Sequence, residues 1–266
     1  MSLKQIAKGI GASLAPELTT ELLSWRSQRL IMKNERTSGR LAASQHYCAQ
    51  RGSVVAKGPF KGMRYPRFTV ECRNLIPKLI GSYEDELSPW MEEIVARHYP
   101  TIVNVGSADG YYTVGLALRC AAARVIAFDT DPWARTATRA LASENSAGNV
   151  EVHKMCTPRW MREQLLTGSI ALVDCEGFEA QLLDLQAAPN LVESDFLVEL
   201  HEHVDPGIGE RISGMFEATH DIRSMPSRAK PPADYPELED IEPSMRARVI
   251  YERAPDQNWL YLTRKA

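Results

Sequence analysis

The sequence predicts an α/β domain with a doubly wound, mostly parallel sheet, and three observations lead to this fold class. Short apolar runs alternate with stretches of helical periodicity, which is typical of parallel strands covered by helices on both faces. The first run, 102–105, breaks at Gly106 and continues as a helical pattern after Gly110. Carboxylates such as Asp129 and Asp174 stand where runs end. Strand, glycine turn and helix in this order bring the backbone close to a nucleotide-like ligand, because glycine lacks a Cβ.

An N-terminal extension precedes this alternating pattern. Apolar residues recur at helical spacing over residues 1–35. This predicts a helix that packs on the main domain or on a second copy in a homodimer, with a membrane-surface helix as the alternative. We assign residues 1–82 to a helical and irregular extension and residues 83–266 to the α/β domain. Ser82 is expected to cap a helix over about residues 83–97.

The remaining elements follow in alternation. Asp131 and Thr157, each followed by proline, mark helix starts. The Pro-rich insertion 225–245 predicts a long loop that forms a lid or the rim of a substrate site. The last strand is compatible with an antiparallel strand at the sheet edge. The predicted strands are 102–105, 124–129, 149–155, a run ending at Asp174, 195–201 and 258–265, and the predicted helices are about 111–121, 131–145, one starting at Thr157, one ending at Leu185 and 208–218.

Composition narrows the function classes. The 31 Lys and Arg against 34 Asp and Glu give a net charge of −3, without the global basic footprint of a nucleic-acid binder. The five cysteines form no C-x-x-C pair, which is typical of reduced thiols in a cytoplasmic protein. Membrane-span and signal-peptide patterns are missing. We therefore expect a soluble, cytoplasmic protein that binds neither nucleic acid nor the membrane interior.

Candidate functional residues stand at the carboxyl ends of the strands, where this architecture binds its ligands. Helix capping explains Glu179, and a solvated loop explains His203, about as well as catalysis does. Glu84, next to Tyr83, precedes the first strand and could border the ligand. The others are Gly106, Ser107, Asp109, Gly110, Tyr111 and Thr113 after the first strand, Asp129 after the second, Asp174 and Glu176 after the fourth, and Glu199 and His201 at the fifth.

Two ligand classes fit such a site, a dinucleotide and S-adenosylmethionine. A dinucleotide needs a pyrophosphate cradle, commonly G-x-G-x-x-G, without a nearby anion. Here the turn reads G-S-A-D-G, which puts the carboxylate of Asp109 near the position of a diphosphate. A sulfonium cofactor that carries an α-amino group tolerates this acid. The residues therefore favour S-adenosylmethionine and leave an NAD(P)-dependent oxidoreductase as the second enzyme class.

Four segments carry a family resemblance: VNVGSADGYYT, VIAFDTDPWA, ALVDCEGFEAQLL and FLVELH. In this order they resemble the motifs of FkbM-type class I S-adenosylmethionine-dependent methyltransferases, V-D-V-G-A-N-x-G-x-Y-T, A-F-E-P, I-D-V-E-G-x-E and E-x-H. GPFKGMRYP and PKLIGSYEDEL resemble segments that precede this domain, so the resemblance covers roughly residues 58–203. It departs from the pattern at Asn104, which replaces an Asp, at Asp109, which stands near the usual Asn, and at Asp129, which replaces a Glu.

The resemblance implies a Rossmann-like fold and O-methylation of a sugar, a glycolipid or a secondary metabolite, so the partner is a small-molecule or glycan acceptor. It puts the turn 106–110 around the methionine and ribose, Asp129 on the ribose hydroxyls and Asp174 beside the sulfonium. The predicted cofactor-binding residues are Gly106, Ser107, Asp109, Gly110, Tyr111, Thr113, Asp129, Asp174 and Glu84.

Methyl transfer to an oxygen also needs a group that removes or shares the acceptor proton. His201 is the expected base, because an imidazole with an ordinary pKa near 6.5 accepts protons at neutral pH. Glu199 would orient it, and Glu176 or His203 could substitute.

Other functions stay open. Asp174, Glu176, Glu199 and His201 could bind a divalent metal, but their spacing matches no ligand motif, so no metal is favoured. Adenine, cytosine and amide N-methyltransferases typically carry [DN]-P-P-[YF] after the fourth strand, whereas Asp174 is followed by Cys-Glu-Gly. A non-catalytic cofactor-binding module of the same fold is a third class.

Overall fold

The structure is a computed structural model that describes residues 29–67, 72–252 and 257–265. Within these residues seven strands form one sheet. They are β1 (Thr101–Val105), β2 (Arg124–Phe128), β3 (Val150–His153), β4 (Ile170–Val173), β5 (Asp195–Leu200), β6 (His220–Pro226) and β7 (Asn258–Arg264). Their order is β3-β2-β1-β4-β5-β7-β6, with β1 to β5 parallel and β7 antiparallel to both of its neighbours.

Helices connect the strands and cover both faces of the sheet. Residues 29–37 are helical. The helices with both ends described are α1 (Arg40–Arg51), α2 (Leu75–Ile80), α3 (Ser88–Ala96), α4 (Tyr111–Arg119), α5 (Pro132–Glu144), α6 (Pro158–Gln164), α7 (Glu179–Leu182), α8 (Ile208–Phe216) and α9 (Pro243–Ile250). Short 3₁₀ segments lie at Asp85–Leu87, Pro189–Glu193, Pro232–Asp234 and Pro236–Leu238.

The central strands are buried along their whole length, which explains why they are continuous apolar runs. One core contains Ile102 and Leu197 and packs against α2 to α5 and α9. The other contains Val103 and Val198 and packs against α6 to α8. The strand order reverses between β1 and β4, and the glycine turn follows β1 at this switch point. The doubly wound, mostly parallel, Rossmann-like sheet that the sequence predicted is therefore confirmed, with seven strands and an antiparallel β7.

The described part of the N-terminal extension joins the core of the α/β domain. Tyr47, Val55, Met63 and Tyr65 are buried in the same cluster as β1. Helix α9 packs on both α1 and α2, so the chain beyond β6 returns to the extension. Most of the predicted helix over residues 1–35, and with it the predicted dimer contact, lies outside the described residues.

Two sequence-based expectations differ from the fold. Strand β7 lies between β5 and β6 and is not an edge strand; β6 forms the edge, and the sequence did not reveal it. The predicted helix 83–97 begins with the 3₁₀ segment Asp85–Leu87, and α3 starts only at Ser88. Ser82 caps neither segment, because its hydroxyl is buried and lies 3.5 Å from the carbonyl of Pro77.

The Pro-rich insertion is irregular between Pro226, the last residue of β6, and Pro243, the first of α9, apart from its two 3₁₀ segments. Among the described helices, none has the length and apolar character needed to cross a membrane.

Candidate functional site

The glycine turn after β1 holds three strand ends together. Gly106 has a φ of 86°, and a Cβ at this position would lie 1.6 Å from the carbonyl oxygen of Asp174 after β4. The amides of Gly106 and Ser107 both donate to the carbonyl of Phe128 at the end of β2. The positive φ and the close approach both require glycine at position 106.

The turn offers few amides to a ligand phosphate. Of the five backbone amides at 106–110, four (residues 106, 107, 108 and 110) donate to the carbonyl of Phe128, the carboxylate of Asp129 or the carbonyl of Ser107. A dinucleotide site needs amides at this turn for its diphosphate. These internal hydrogen bonds therefore disfavour a dinucleotide more directly than the charge of Asp109 does.

Asp129 lies at the end of β2 and faces the ligand cleft. Its Oδ2 accepts the amide of Ala108 and its Oδ1 accepts the amide of Asp131, each at 2.8 Å. Burial raises the pKa of Asp129 to about 6, although the two amides act to lower it. Each carboxylate oxygen keeps acceptor capacity for a ligand hydroxyl. Asp131 itself caps α5 through the amide of Trp133, as the sequence predicted.

A cleft of about 550 Å³ opens at the carboxyl ends of β1 to β4. Phe128, Trp133 and Phe178 give it aromatic surface of the kind that a planar base packs against. Gly106, Asp109, Asp129, Asp174 and Glu176, all predicted from the sequence, line it together with Ile31, Arg73 and Lys78 of the extension, which were not among the predicted site residues.

Asp109 is tied to the N-terminal extension. Its Oδ1 lies 2.6 Å from Nζ of Lys78, and both side chains are almost fully buried. The ammonium of Lys78 also lies 4.9 Å from the ring centre of Tyr83. A lysine flanked by apolar residues in LIPKLI was the one sequence signal for this contact. The carboxylate of Asp109 is therefore paired within the protein, and this ion pair links the turn to α2.

The other residues predicted around the turn lie in the interior. Ser107 contacts the hydroxyl of Thr138 at 3.3 Å, and Thr113 donates to Asn104 at 2.8 Å. Tyr111 packs edge-on against Phe60 and Tyr83. These contacts pack the turn against the protein interior. A direct contact of Ser107, Tyr111 or Thr113 with a cofactor stays a prediction.

Glu84 is buried in a polar cluster next to this core. The hydroxyl of Tyr112 donates to its carboxylate, and its amide donates to Glu252 at 3.2 Å. Burial raises the pKa of Glu84 to about 8, with the charges of Asp174 and Glu252 acting in the same direction. Glu84 does not line the described cleft, and its predicted contact with the ligand stays a prediction.

His201 lies among carboxylates near the other end of the cleft. Its Nδ1 lies 2.8 Å from Oε1 of Glu179, and its Nε2 lies 3.5 Å from Oε2 of Glu176 and 3.7 Å from Oδ1 of Asp174. Burial acts to lower the pKa of His201, but the contact with Glu179 and the charges of the three acids raise it above 6.5. Burial raises the pKa of Asp174 to about 7, although the charge of His201 opposes this shift. The group can therefore exchange a proton near neutral pH.

The structure brings the predicted catalytic residues together but changes their contacts. Glu199 was expected to orient His201, yet the residue at Nδ1 is Glu179, which the sequence explained equally well as a helix cap. A carboxylate oxygen of Glu199 lies within 4.8 Å of a ring nitrogen of His201. His203 is exposed, with its ring centre 5.7 Å from that of His201.

Asp174, Glu199 and His201 also have the geometry of a possible cation site. One ligand atom from each lies within 4.8 Å of the others. Two carboxylates and an imidazole suit a transition metal better than magnesium, which prefers oxygen ligands. The same side chains serve proton transfer without a metal, and the expectation that none is required stays a prediction.

The sequence matches no protein-family model and no curated protein. Solved structures are similar to it at low identity. The O-methyltransferase TomG from Streptomyces achromogenes, in complex with S-adenosylmethionine, is 14% identical, with 65% of this chain and 76% of that chain covered and a TM-score of 0.47. An O-methyltransferase from Bacillus cereus in complex with S-adenosylhomocysteine is 12% identical, with 65% and 77% covered and a TM-score of 0.44. A Klebsiella pneumoniae protein described as an O-methyltransferase is 11% identical, with 69% and 81% covered and a TM-score of 0.48.

Proposed function

We propose that this chain is an S-adenosylmethionine-dependent methyltransferase that methylates a hydroxyl group. One observation carries the proposal: a single cleft is lined by Asp129, which two backbone amides hold in place, and by Asp174, which lies beside His201. The first carboxylate is suited to the two hydroxyls of a ribose. The second group is suited to charge and proton movement at a reacting centre.

The residues of the cleft fit the cofactor in shape and charge. Gly106 lets the backbone approach without a side chain, and Phe128, Trp133 and Phe178 offer apolar surface to an adenine ring. Asp129 would accept hydrogen bonds from the ribose hydroxyls. Arg73 adds positive charge for the carboxylate of the methionine part.

When bound, S-adenosylmethionine supplies a methyl group on a sulfonium whose sulfur keeps the electron pair of the broken S–C bond. The protein has to hold the acceptor oxygen in line with that methyl group and receive the hydroxyl proton. Nε2 of His201 would take this proton, and Asp174 would stabilise the imidazolium that results. Asp174 also offers negative charge to a sulfonium before the transfer.

The acceptor that we propose is a small molecule or glycan, with the hydroxyl of a sugar, a glycolipid or a secondary metabolite as the target. The imidazole of His201 favours a hydroxyl as the acceptor, because a hydroxyl must lose a proton on methylation and the imidazole can take it. We also propose a cytoplasmic location, since the five cysteines form no C-x-x-C pair.

Equilibrium binding tests the cofactor assignment. By calorimetry we expect S-adenosylhomocysteine to bind the full chain and NADH not to bind. Asp129→Ala should weaken this binding about 10- to 100-fold, the size of a lost hydrogen bond to a charged group. Asp184→Ala is the matched control, because Asp184 also accepts the amide two residues later but does not line the cleft.

The outcomes of these experiments decide the cofactor assignment and whether the chain is an enzyme. Tight binding of NADH, or an unchanged affinity of Asp129→Ala for S-adenosylhomocysteine, would overturn the cofactor assignment. A screen of hydroxylated acceptors with radiolabelled S-adenosylmethionine then separates an enzyme from a non-catalytic module. Methyl transfer to at least one acceptor is the expected result.

A further inference from the structure

Glu179 occupies an unusual position for a helix-capping residue. It is the first residue of α7, and its side chain is fully buried. Its Oε1 accepts the amides of Cys175 at 3.0 Å and Gly177 at 3.1 Å, and the same oxygen lies 2.8 Å from Nδ1 of His201. The two amides belong to the turn after β4, so the backbone fixes the carboxylate where it meets the imidazole.

The two nitrogens of His201 therefore face different surroundings. Nδ1 faces the buried carboxylate of Glu179, whereas Nε2 faces Asp174 and Glu176. Both of these acids line the ligand cleft, and the side chain of Glu176 is 80% exposed. Of the two ring nitrogens, Nε2 is the one directed toward residues that a substrate can reach.

We propose that Glu179 is the positioning residue of His201: its carboxylate, 2.8 Å from Nδ1, keeps the ring proton on that nitrogen and leaves the lone pair of Nε2 for the acceptor hydroxyl. This inference rests on the proposed function, because it assigns the partner of the base in that reaction. It replaces Glu199 in the orienting role. Carboxylates face both nitrogens, but Glu179 lies 2.8 Å from Nδ1, whereas the acids at Nε2 lie 3.5 and 3.7 Å away. A neutral imidazole carries its one proton on the nitrogen with the closer acceptor, so the position of Glu179 favours a free Nε2.

Charge supports the same arrangement. A buried carboxylate is costly unless donors compensate for the lost water, and Oε1 of Glu179 has two amides and an imidazole around it. Burial acts to raise the pKa of Glu179, but His201 and the amides lower it overall. The carboxylate therefore stays ionised and favours the imidazolium that forms once Nε2 has taken a proton.

The pH dependence follows from every charged group that faces the ring. Glu179 of α7, Asp174 and Glu176 of the turn after β4, and Glu199 of β5 all present carboxylates to His201. His203 faces it from the same segment. These groups set the charge around the ring, whereas the preference for the Nδ1 tautomer rests on the 2.8 Å contact with Glu179.

The test is ¹⁵N-histidine NMR of the full chain, combined with the Glu179→Gln variant. In the wild type we expect His201 to titrate above pH 6.5 and, when neutral, to carry its proton on Nδ1. Glutamine keeps an acceptor oxygen but removes the charge. The pKa of His201 should then fall by about one unit or more, the usual effect of losing a close opposite charge. The acid limb of turnover should move down by the same amount, with kcat reduced more than KM.

Glu202→Gln is the matched control. Glu202 also accepts two backbone amides, those of Gly207 and Gly209, and none of the described contacts joins its carboxylate to His201. This variant should lose stability as a cap variant does and leave the His201 titration and tautomer unchanged. If Glu202→Gln shifted the His201 pKa as much as Glu179→Gln, a structural disturbance would explain both, and the positioning role would be wrong.

Two further results would also overturn the inference. One is a neutral His201 that carries its proton on Nε2 in the wild type, and the other is an unchanged His201 pKa in Glu179→Gln. If Glu179→Gln does not fold, the wild-type tautomer alone decides. The NMR measurement needs neither cofactor nor acceptor, so a failure of the methyl-transfer proposal is seen separately, in the binding and turnover assays.

Discussion

The two ends of the ligand cleft are held together by different kinds of contact. At the β1–β2 end the contacts are made by backbone groups: amides of the turn donate to Phe128, and Asp129 accepts the amides of Ala108 and Asp131. At the β4–β5 end, ionisable side chains contact each other around His201. The first end has one geometry fixed by the main chain. The second has a charge that changes near neutral pH.

This difference fits the two tasks of a group-transfer enzyme. A cofactor is the same molecule in every turnover, so a rigid surface with few titrating groups suits it. An acceptor loses a proton during the reaction, so the groups beside it need pKa values near the working pH. Gly106 joins the two ends, and other residues belong to one end alone, so the two tasks can be perturbed together or separately.

The largest effect is expected from Gly106→Ala, because Gly106 contacts both ends. The new Cβ would lie 1.6 Å from the carbonyl oxygen of Asp174, at a φ of 86°. We expect a loss of folding stability on the order of 3 kcal/mol or more and a loss of cofactor binding above about 100-fold. Urea unfolding and calorimetry with S-adenosylhomocysteine measure the two effects.

Gly148→Ala is the control for this substitution. A Cβ at Gly148 would meet nothing within 4 Å, and its φ is not in the left-handed region. This variant should unfold and bind as the wild type does. Wild-type stability and binding in Gly106→Ala would show that the two ends are not joined by this contact.

His201→Ala should have the next largest effect, and only at the β4–β5 end. Loss of a general base typically lowers turnover about 100- to 10,000-fold. Cofactor affinity should change by less than about threefold, because Asp129 and the turn remain. His46→Ala, an exposed histidine on α1, is the control and should retain full turnover. Full turnover of His201→Ala at neutral pH would rule out the base assignment.

The same assay decides on the metal alternative. Asp174, Glu199 and His201 could hold a cation, and exhaustive chelation with EDTA would then abolish methyl transfer. We expect transfer to survive chelation, because His201 can accept the proton without a metal. A loss that zinc or manganese restores would instead make these three residues a metal site.

The sequence alone predicted most strands of the sheet, and the reason is physical. Strands β1, β2, β4 and β5 are buried on both faces, so their apolar runs marked them to within about two residues. Strand β6 was missed because it is an edge strand, with mostly exposed or half-buried residues and a proline at its end, and therefore has no apolar run.

The candidate site divides in the same way. The sequence predicted Asp129 and Asp174 as site residues because each directly follows an apolar strand. The contact of Lys78 with Asp109 joins residues 31 positions apart, and the choice between Glu199 and Glu179 at His201 depends on how a turn folds back. Such side-chain pairs depend on tertiary packing, so periodicity and spacing do not predict them.

Lys78→Met tests how far the β1–β2 end depends on the N-terminal extension. It leaves the buried carboxylate of Asp109 without its cation, which should lower the free energy of unfolding by about 3 kcal/mol. The double variant Lys78→Met, Asp109→Asn should recover part of this loss, because no buried charge remains unpaired. Urea unfolding measures both, and the His201 titration should not move.

An exposed ion pair provides the comparison. Arg159 and Glu163 lie 3.0 Å apart on α6, with side chains that are 78% and 41% exposed. Arg159→Met should leave the unfolding midpoint unchanged. If Lys78→Met behaved in the same way, the turn would not be held by its contact with α2.

The smallest expected effect is the pH dependence of cofactor binding, which sets a limit to the contrast between the two ends. Burial raises the pKa of Asp129 to about 6, so this carboxylate is mostly ionised at pH 7 and mostly protonated at pH 5. Protonation turns one of its oxygens into a donor and removes the charge that strengthens the accepted hydrogen bonds. The affinity for S-adenosylhomocysteine should therefore fall about tenfold from pH 7 to pH 5, in proportion to the ionised fraction. In Asp129→Asn the affinity should be lower at pH 7 and nearly constant over this range. A fall of the same size in Asp129→Asn would assign the titration to another group.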